Sequence, residues 1–433
     1  MTKSRIAAFA SSLSVRVLIA LVLGLLLGAL AEAWGSPAGR TAVETAEAFG
    51  AVWLNALRIT VIPLVFALLV TGIASIADAA ATGRLAARAL LVFAIMLVCC
   101  TVYAILAGLG LLAIWPIDPE GGRALLAGLP AHAADAVGEA AHTDGLKAFL
   151  NSLAPSNLIK AAADDGVLGV VVFAVAFGFA TTKLTPRLRQ PLAEFFEAVS
   201  EAMIIIVHWV LLAAPLGVFA LALGVGLRAG LGAAGVLGHY VSIVSLSQIG
   251  LILLTYGAVV AFGRIGLARF ARAAAPAQVV AFSTQSSLAS LPAMVEAART
   301  ALGVAPASAG LVLPLAVAVF RLTSPVANLA VCLYVAQLYG VPLGIGALVA
   351  GGLTALAVSV ASVGLPGQVS FFASVGPICL AMGLPLGVLP LLLAVEVVPD
   401  IFRTIGNVTG DLAAARIVQG DDDVPEADPT TGI

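Results

Sequence analysis

Residues 396–411 read EVVPDIFRTIGNVTGD, and the interpretation of the whole chain depends on them. Polar or charged side chains recur here at helical spacing: Glu396, Asp400, Arg403, Thr404, Asn407 and Asp411. At about 100° per residue, all six fall within roughly a 100° arc of one helix face. One ionised side chain at the centre of a membrane helix costs about 2.5–3.5 kcal/mol on insertion scales. The stripe is therefore predicted to face protein, water or a ligand rather than lipid.

The composition favours a membrane environment for most of the chain. Of 433 residues, 61% are hydrophobic and 10% are charged, whereas a soluble domain averages about 25% charged residues. The formal net charge is −2 and the sequence has no basic patch, so no nucleic-acid partner is predicted. The four cysteines lie in apolar runs and are interpreted as small buried side chains. The lipid bilayer is the expected partner of this chain.

Apolar runs divide the chain into membrane segments. Runs of spanning length occur near 15–31, 49–76, 88–115, 165–181, 202–225 and 241–262. Two later runs, near 276–298 and 354–385, are interrupted by Ser, Gly and Pro, and two more, near 309–338 and 388–417, carry internal polar residues. Interrupted segments at corresponding places in two halves are typical of a transporter binding site.

The distribution of basic residues predicts the orientation. Lys3 and Arg5 precede the first run, and further basic residues follow the second, fourth and sixth runs. If the helices alternate in direction, all of these lie on one side, which is the cytoplasmic side. We therefore predict a multi-pass protein of the cell inner membrane with both termini in the cytoplasm. The acidic segment 419–433 is predicted to be a disordered cytoplasmic tail.

Several motifs carry a resemblance to a known family. They are VWLNALRITVIPLVFALLVTGIAS (52–75), TQSSLASLP (284–292), GLPG (364–367) and DIFRTIGNVTGD (400–411). In this order and spacing they resemble the dicarboxylate/amino acid:cation symporter family, the glutamate transporter homologues, over nearly the whole chain. The resemblance implies an all-α polytopic membrane protein with eight transmembrane helices plus two re-entrant helical hairpins, in an inverted-repeat glutamate-transporter-like fold.

The resemblance also implies a division into domains and a homotrimer. Residues 1–90 would form scaffold helices 1–2, and 150–235 would form scaffold helices 4–5. Residues 91–149 would hold transport-domain helix 3 and an extracellular loop. Residues 236–418 would be the rest of the transport domain: helix 6, hairpin 1, helix 7, hairpin 2 and helix 8.

Candidate substrate-binding residues come from the hairpin tips and the last helix. They are Ser286, Ser287, Gly364, Pro366, Gly367, Asp400, Arg403, Thr404, Asn407 and Arg321. Helix N-termini at the tips present free N–H groups that suit a carboxylate. Arg403 presents a planar fork that pairs bidentately with a carboxylate. The resemblance implies that Arg403 binds the side-chain carboxylate of an acidic substrate, Asp400 its amino group, and Thr404 and Asn407 further polar groups.

Other interpretations of these residues remain open at this point. The serines alone are consistent with close packing between membrane helices. The GLPG segment is also consistent with a kinked helix that forms no gate. Asp400, Glu396 and Arg403 could neutralise one another in an internal network, and Glu396 is interpreted as structural support.

The seventh helix departs from the family. By resemblance, Asp411 matches a sodium-ligating carboxylate and Asn407 offers a backbone carbonyl to the same ion. The family's Asn-Met-Asp-Gly-Thr motif is replaced here by Phe-Arg-Leu-Thr-Ser at 320–324, followed by Pro325. Two of the family's sodium sites draw on that motif, so the coupling ion could be Na⁺, H⁺ or none. Pro325 is still expected to break the helix.

Arg321 stands within that altered motif, in the middle of an apolar run. One hypothesis places it against Asp411 as a built-in cation that replaces sodium. A second places it at the substrate as another anion clamp, and a third extends it to the membrane surface.

The predicted function is a symporter, a secondary active transporter of small anionic organic substrates, dicarboxylates or acidic amino acids, using an elevator-type mechanism. An enzyme is not predicted, because the sequence has no nucleophile elbow, metal-ligand spacing or phosphate loop. The alternative is an anion channel or a substrate sensor that has lost cation-coupled transport.

Overall fold

The structure is a computed structural model, and it describes residues 13–34, 37–81, 83–129, 153–164, 166–229, 232–361 and 367–419. About 88% of the structure is helical, and the described residues contain no strand. The predicted disordered tail, the greater part of the predicted extracellular loop, and the candidate residues Gly364 and Pro366 lie outside the described residues.

The helices follow one another with short connections. In the first half they are α1 (Leu13–Trp34), α2 (Pro37–Ala81), α3 (Arg84–Ile114), α4 (Pro119–Ala127), α5 (Leu158–Ala163), α6 (Val167–Thr182), α7 (Pro186–Leu212) and α8 (Ala214–Ala229). In the second half they are α9 (Gly232–Phe262), α10 (Leu267–Thr284), α11 (Ser287–Thr300), α12 (Pro306–Val319), α13 (Thr323–Tyr339), α14 (Ile345–Ala361), α15 (Gly367–Ala381), α16 (Leu389–Val395) and α17 (Val397–Gln419).

Six stretches of the described residues are long and apolar enough to cross a membrane: Val15–Trp34, Gly39–Ala77, Arg84–Ile114, Pro186–Leu212, Ala233–Phe262 and Pro306–Tyr339. The last of them contains the break between α12 and α13. Helix α17 has 23 residues, which is enough to span, but it carries Asp400, Arg403, Asp411 and Arg416. These spans agree with a multi-pass membrane protein.

Two boundaries differ from the sequence prediction. The predicted run 202–225 is divided in the structure, because α7 ends at Leu212 and α8 begins at Ala214. Pro215 lies in the first turn of α8, where its missing N–H costs nothing because no partner carbonyl is available. By contrast, Pro63 does not end α2, which continues through it for 45 residues in total. Proline inside membrane helices is tolerated where neighbours satisfy the freed carbonyl.

The chain divides into two compact units. Unit 1 takes the described residues of Met1–Ala74, Thr101–Ser247 and Pro325–Pro399. Within it, α1 packs against α8, and α14 packs against α15. Gly28 faces the backbone of α8 so closely that a Cβ there would meet the Leu223 carbonyl oxygen. Arg228 on α8 forms an ion pair with Glu47 and donates to the Gly128 carbonyl oxygen at 2.8 Å.

Unit 2 takes the described residues of Ser75–Cys100, Gln248–Ser324 and Asp400–Ile433. Helices α10 and α11 pack against each other as a hairpin, and α11 also packs against α12. Gln278 on α10 donates to Thr409 Oγ1 on α17 at 2.8 Å and to the Tyr256 hydroxyl on α9 at 3.1 Å. These bonds hold the hairpin arm, α9 and α17 together by side chains remote in sequence.

Candidate functional site

Helix α17 carries the charged stripe inside protein. Arg403 is 8% exposed and Asp411 is 1% exposed, while Thr404 and Asn407 are buried as well. Asp400, one turn before Arg403, is partly buried. The burial agrees with the expectation that these charges avoid lipid, because an ionised group in a bilayer is costly.

Glu396 is the member of the predicted stripe that the helix does not include. It lies between α16 and α17, since α17 begins at Val397. Its carboxylate is buried and accepts a hydrogen bond from the Tyr240 hydroxyl. Its distance in sequence from Tyr240 is 156 residues, so no local pattern could have indicated the partner.

The α12–α13 break, residues 320–322, lies against α17. Phe320 is extended, with φ −120° and ψ 98°, and its ring stacks on Phe93 at 4.5 Å between centroids. Two glycines of α17 face the break. A Cβ on Gly410 would stand 2.5 Å from Leu322 Cδ2, and a Cβ on Gly406 would meet Thr323 Cγ2. The absence of side chains at these two positions lets the break approach the α17 backbone.

Thr323 joins the break to the stripe. Its hydroxyl lies 2.9 Å from Asn407 Oδ1 and 3.1 Å from the Arg403 carbonyl oxygen. Its backbone N–H also donates to Asn407 Oδ1 at 3.1 Å. Asn407 therefore caps the N-terminus of α13, and the sequence analysis did not name Thr323 as a site residue. The available signal was a Thr-Ser-Pro start, which is typical of a helix N-terminus.

The charges on α17 are unevenly compensated. Arg403 Nη1 lies 3.9 Å from Asp400 Oδ1, which is longer than the 2.7–2.9 Å of a charge-assisted hydrogen bond. Neither carboxylate oxygen of Asp411 has a hydrogen-bond partner among the described residues. A buried carboxylate without partners is strongly unfavourable. Asp411 therefore requires charge compensation from another source.

Arg321 supplies a positive charge to this region from the break. It is partly buried, and it interacts electrostatically with Arg403, Asp400 and Asp411. The described charge that acts on Asp411 is that of Arg321. Arg321, Asp400, Arg403 and Asp411 thus form one group of two cations and two carboxylates, which we call the charge group.

The tip of the α10–α11 hairpin lies at Gln285 and Ser286. Gln285 has a left-handed backbone with φ 51°, a conformation that non-glycine residues seldom adopt. Ser286 is the N-cap of α11, and its side chain accepts from the Ala289 N–H at 3.2 Å. Ser286 and Ser287 are both partly buried. The bonds of Ser286 are local to the tip, so its hydroxyl shapes the helix N-terminus rather than contacting α17.

The candidate residues are thus brought together to different degrees. Arg321, Asp400, Arg403 and Asp411 interact, and Thr323 connects Arg403 with Asn407. The Thr404 hydroxyl donates within α17 to the Asp400 carbonyl oxygen at 3.0 Å. Gly367 is the first residue of α15, in unit 1. Among the described residues no group of three or more His, Cys, Asp or Glu side chains could hold a metal ion.

The fold and these residues define a class before any relative is considered. Apolar spanning helices, interrupted segments and buried opposite charges are the features of a secondary transporter. The sodium:dicarboxylate symporter family matches residues 13–420, and the chain belongs to this family. This confirms the resemblance inferred from the motifs. The family and its members are transporters, not enzymes.

Three relatives illustrate the similarity. The proton/glutamate-aspartate symporter of Escherichia coli (strain K12) is 27% identical over 409 residues, which cover 94% of this chain and 92% of that protein. The proton/sodium-glutamate symport protein of Bacillus subtilis (strain 168) is 28% identical, with 94% and 92% covered. The C4-dicarboxylate transport protein of Rhizobium johnstonii is 25% identical, with 95% and 89% covered.

Proposed function

We propose that this chain is a symporter that moves a small organic dianion, a C4 dicarboxylate or an acidic amino acid, across the inner membrane. The observation that carries the proposal is the buried charge group on α17 and the α12–α13 break, with Arg403 8% exposed. The printed names of the relatives, which cover glutamate, aspartate and C4 dicarboxylates, support the same substrate class.

Arg403 is the proposed carboxylate receptor. Its guanidinium lies 3.9 Å from Asp400, so the pair is not closed as a bidentate fork and can rearrange around a ligand. An arginine fork matches a carboxylate with two parallel hydrogen bonds. In this proposal Asp400 then accepts the amino group of an amino acid substrate.

The other candidates complete the proposed site. The Asn407 oxygen is engaged by Thr323, which leaves its amide nitrogen as a donor toward the substrate. The N-terminus of α11, beside Ser286 and Ser287, provides backbone N–H groups for a second carboxylate. Thr404 and the Gly364–Gly367 tip are proposed contacts as well.

The proposed architecture has eight transmembrane helices, two re-entrant hairpins and three identical subunits. Helix α11 has 14 residues, hence a length of about 21 Å at 1.5 Å per residue. A bilayer core is about 30 Å thick, so this arm is too short to cross it. That supports a hairpin that enters and leaves on one side, and elevator-type movement of residues 91–149 and 236–418 against the scaffold segments 1–90 and 150–235 is the proposed mechanism.

The coupling ion is a second substrate in this proposal. The Bacillus subtilis relative is named as a proton/sodium symport protein, so Na⁺ or H⁺ is a plausible coupling ion. Asp411 has the oxygen ligands that a hard cation prefers. Asn407 would add its backbone carbonyl, as the family pattern implies.

Counterflow tests this function. Purified protein in liposomes loaded with unlabelled aspartate or succinate should accumulate the labelled compound transiently above its equilibrium level. The effect should saturate with external substrate and should be lost when the internal substrate is replaced by an uncharged analogue. Binding without exchange would instead indicate a sensor, and a non-saturating anion current would indicate a channel.

A further inference from the structure

Asp411 presents a question of charge that the proposed function does not answer. Its carboxylate is 1% exposed, and both oxygens lack hydrogen-bond partners among the described residues. An ionised carboxylate in such a place needs a positive charge close by, because burial removes its hydration. The charge could come from a bound cation, from a proton or from the chain.

The chain itself places a cation in the right region. Arg321 lies in the α12–α13 break, and its charge acts on Asp411 and Asp400. An arginine side chain is always protonated and is more weakly hydrated than an ammonium ion. With Arg403 it brings the formal charge of the charge group to zero, because the two arginines balance Asp400 and Asp411. Without Arg321 the group would carry one net negative charge, which one monovalent cation would neutralise.

The position of Arg321 is fixed by its neighbours. Phe320 stacks on Phe93, and Leu322 packs over Gly410, only one residue from Asp411. Thr323 bonds to Asn407, one turn before Asp411. The residues on both sides of Arg321 are thus attached to described helices, two of them directly to α17. This attachment keeps the guanidinium on the Asp411 side of the membrane helix.

We propose that Arg321 is the built-in counter-cation of Asp411, so that the chain binds its substrate without a monovalent cation at this carboxylate. The proposal rests on the proposed function for its meaning in transport. It predicts that Asp411 becomes a cation site only when Arg321 is removed. The same proposal separates Arg321 from the substrate: its role is to position and neutralise Asp411, whereas Arg403 receives the anion.

The test uses the full-length protein in detergent and compares Na⁺ with choline at equal ionic strength. The melting temperature is measured without substrate, and aspartate or succinate affinity is measured by calorimetry. Wild type should respond to Na⁺ by less than about twofold in affinity and with no specific rise in melting temperature. Arg321→Met should melt lower, and Na⁺ should raise both its melting temperature and its substrate affinity, the latter by about tenfold or more, within the range of ordinary coupling energies.

Further variants separate this effect from general damage. Arg321→Lys keeps the charge and should behave as wild type toward Na⁺. Combining Arg321→Met with Asp411→Asn should remove the sodium response again, because no uncompensated carboxylate remains. Arg299→Met removes one arginine from the exposed end of α11 and is the matched control, with no sodium response expected.

Specific outcomes would overturn the inference. Strong sodium dependence in wild type would show that Asp411 already uses an external cation. Equal loss of affinity in Arg321→Met with and without Na⁺, and no sodium response in its melting temperature, would assign Arg321 to the substrate or Asp411 to a neutral form. The melting arm needs no substrate. A wild-type protein that binds no dicarboxylate or acidic amino acid would therefore refute the proposed function while leaving this inference decided.

Discussion

Thr323 shows how much a single hydroxyl contributes to the candidate site. It contacts Asn407 and the Arg403 carbonyl, and so connects the start of α13 with the two α17 residues proposed to bind substrate. The inward orientation of Arg403 and Asp411 could be predicted, because helical spacing is a local property of the sequence. The Thr323–Asn407 contact could not, because 84 residues separate the two partners.

Replacing Thr323 by Val is expected to lower the free energy of unfolding by about 1–3 kcal/mol, because it leaves Asn407 Oδ1 without the hydroxyl donor in a buried place. Substrate affinity should fall as well, since the Arg403 turn loses a contact. The measurement is unfolding in detergent together with calorimetric binding. Thr255→Val is the matched control: Thr255 is also buried, but its hydroxyl bonds only to Leu251 within its own helix. Equal losses in the two variants would contradict the connecting role of Thr323.

At the scale of elements, the α12–α13 break was predictable and its packing was not. Pro325 lacks an N–H and its ring disfavours a helix that continues from residue 321, and α13 begins two residues before it. The close approach of Leu322 to Gly410 depends on which helix lies opposite, and the sequence does not reveal this. The division between α7 and α8 was missed, since apolar character continues across Ala213 and hides the boundary.

Gly410→Ala is expected to push the break away from α17. The new Cβ would stand 2.5 Å from Leu322 Cδ2, and Leu322 is fully buried, so the side chain has little room to move. Overpacking of this kind costs about 1–3 kcal/mol. Gly257→Ala on α9 is the control, because no atom lies within 4 Å of a Cβ built there. The stability difference between the two variants, measured in detergent, cancels the gain in helix propensity. A difference near zero would contradict the close packing.

For the whole molecule, composition predicted a membrane protein, and membership of the sodium:dicarboxylate symporter family confirms it. The motifs at 284–292 and 400–411 identified the family because they depend on short, specific residue patterns. Subunit number, membrane orientation and domain movement stay predictions, because they depend on surfaces and partners that a residue pattern does not encode. The coupling ion also stays open, since it depends on the balance between Arg321 and Asp411 in three dimensions.

One binding measurement tests most directly whether α17 forms an anion site. Succinate, aspartate and glutamate should each raise the melting temperature of the purified wild-type protein. Their amide analogues succinamate and asparagine, which carry one carboxylate fewer, should do so weakly or not at all. Arg403→Lys should lose most of the stabilisation, because an ammonium group cannot reproduce the two parallel bonds of the guanidinium, whereas Arg299→Lys should keep it. If the diacids and their amides stabilise the protein equally, or if Arg403→Lys binds as wild type does, the buried stripe on α17 is not the substrate site.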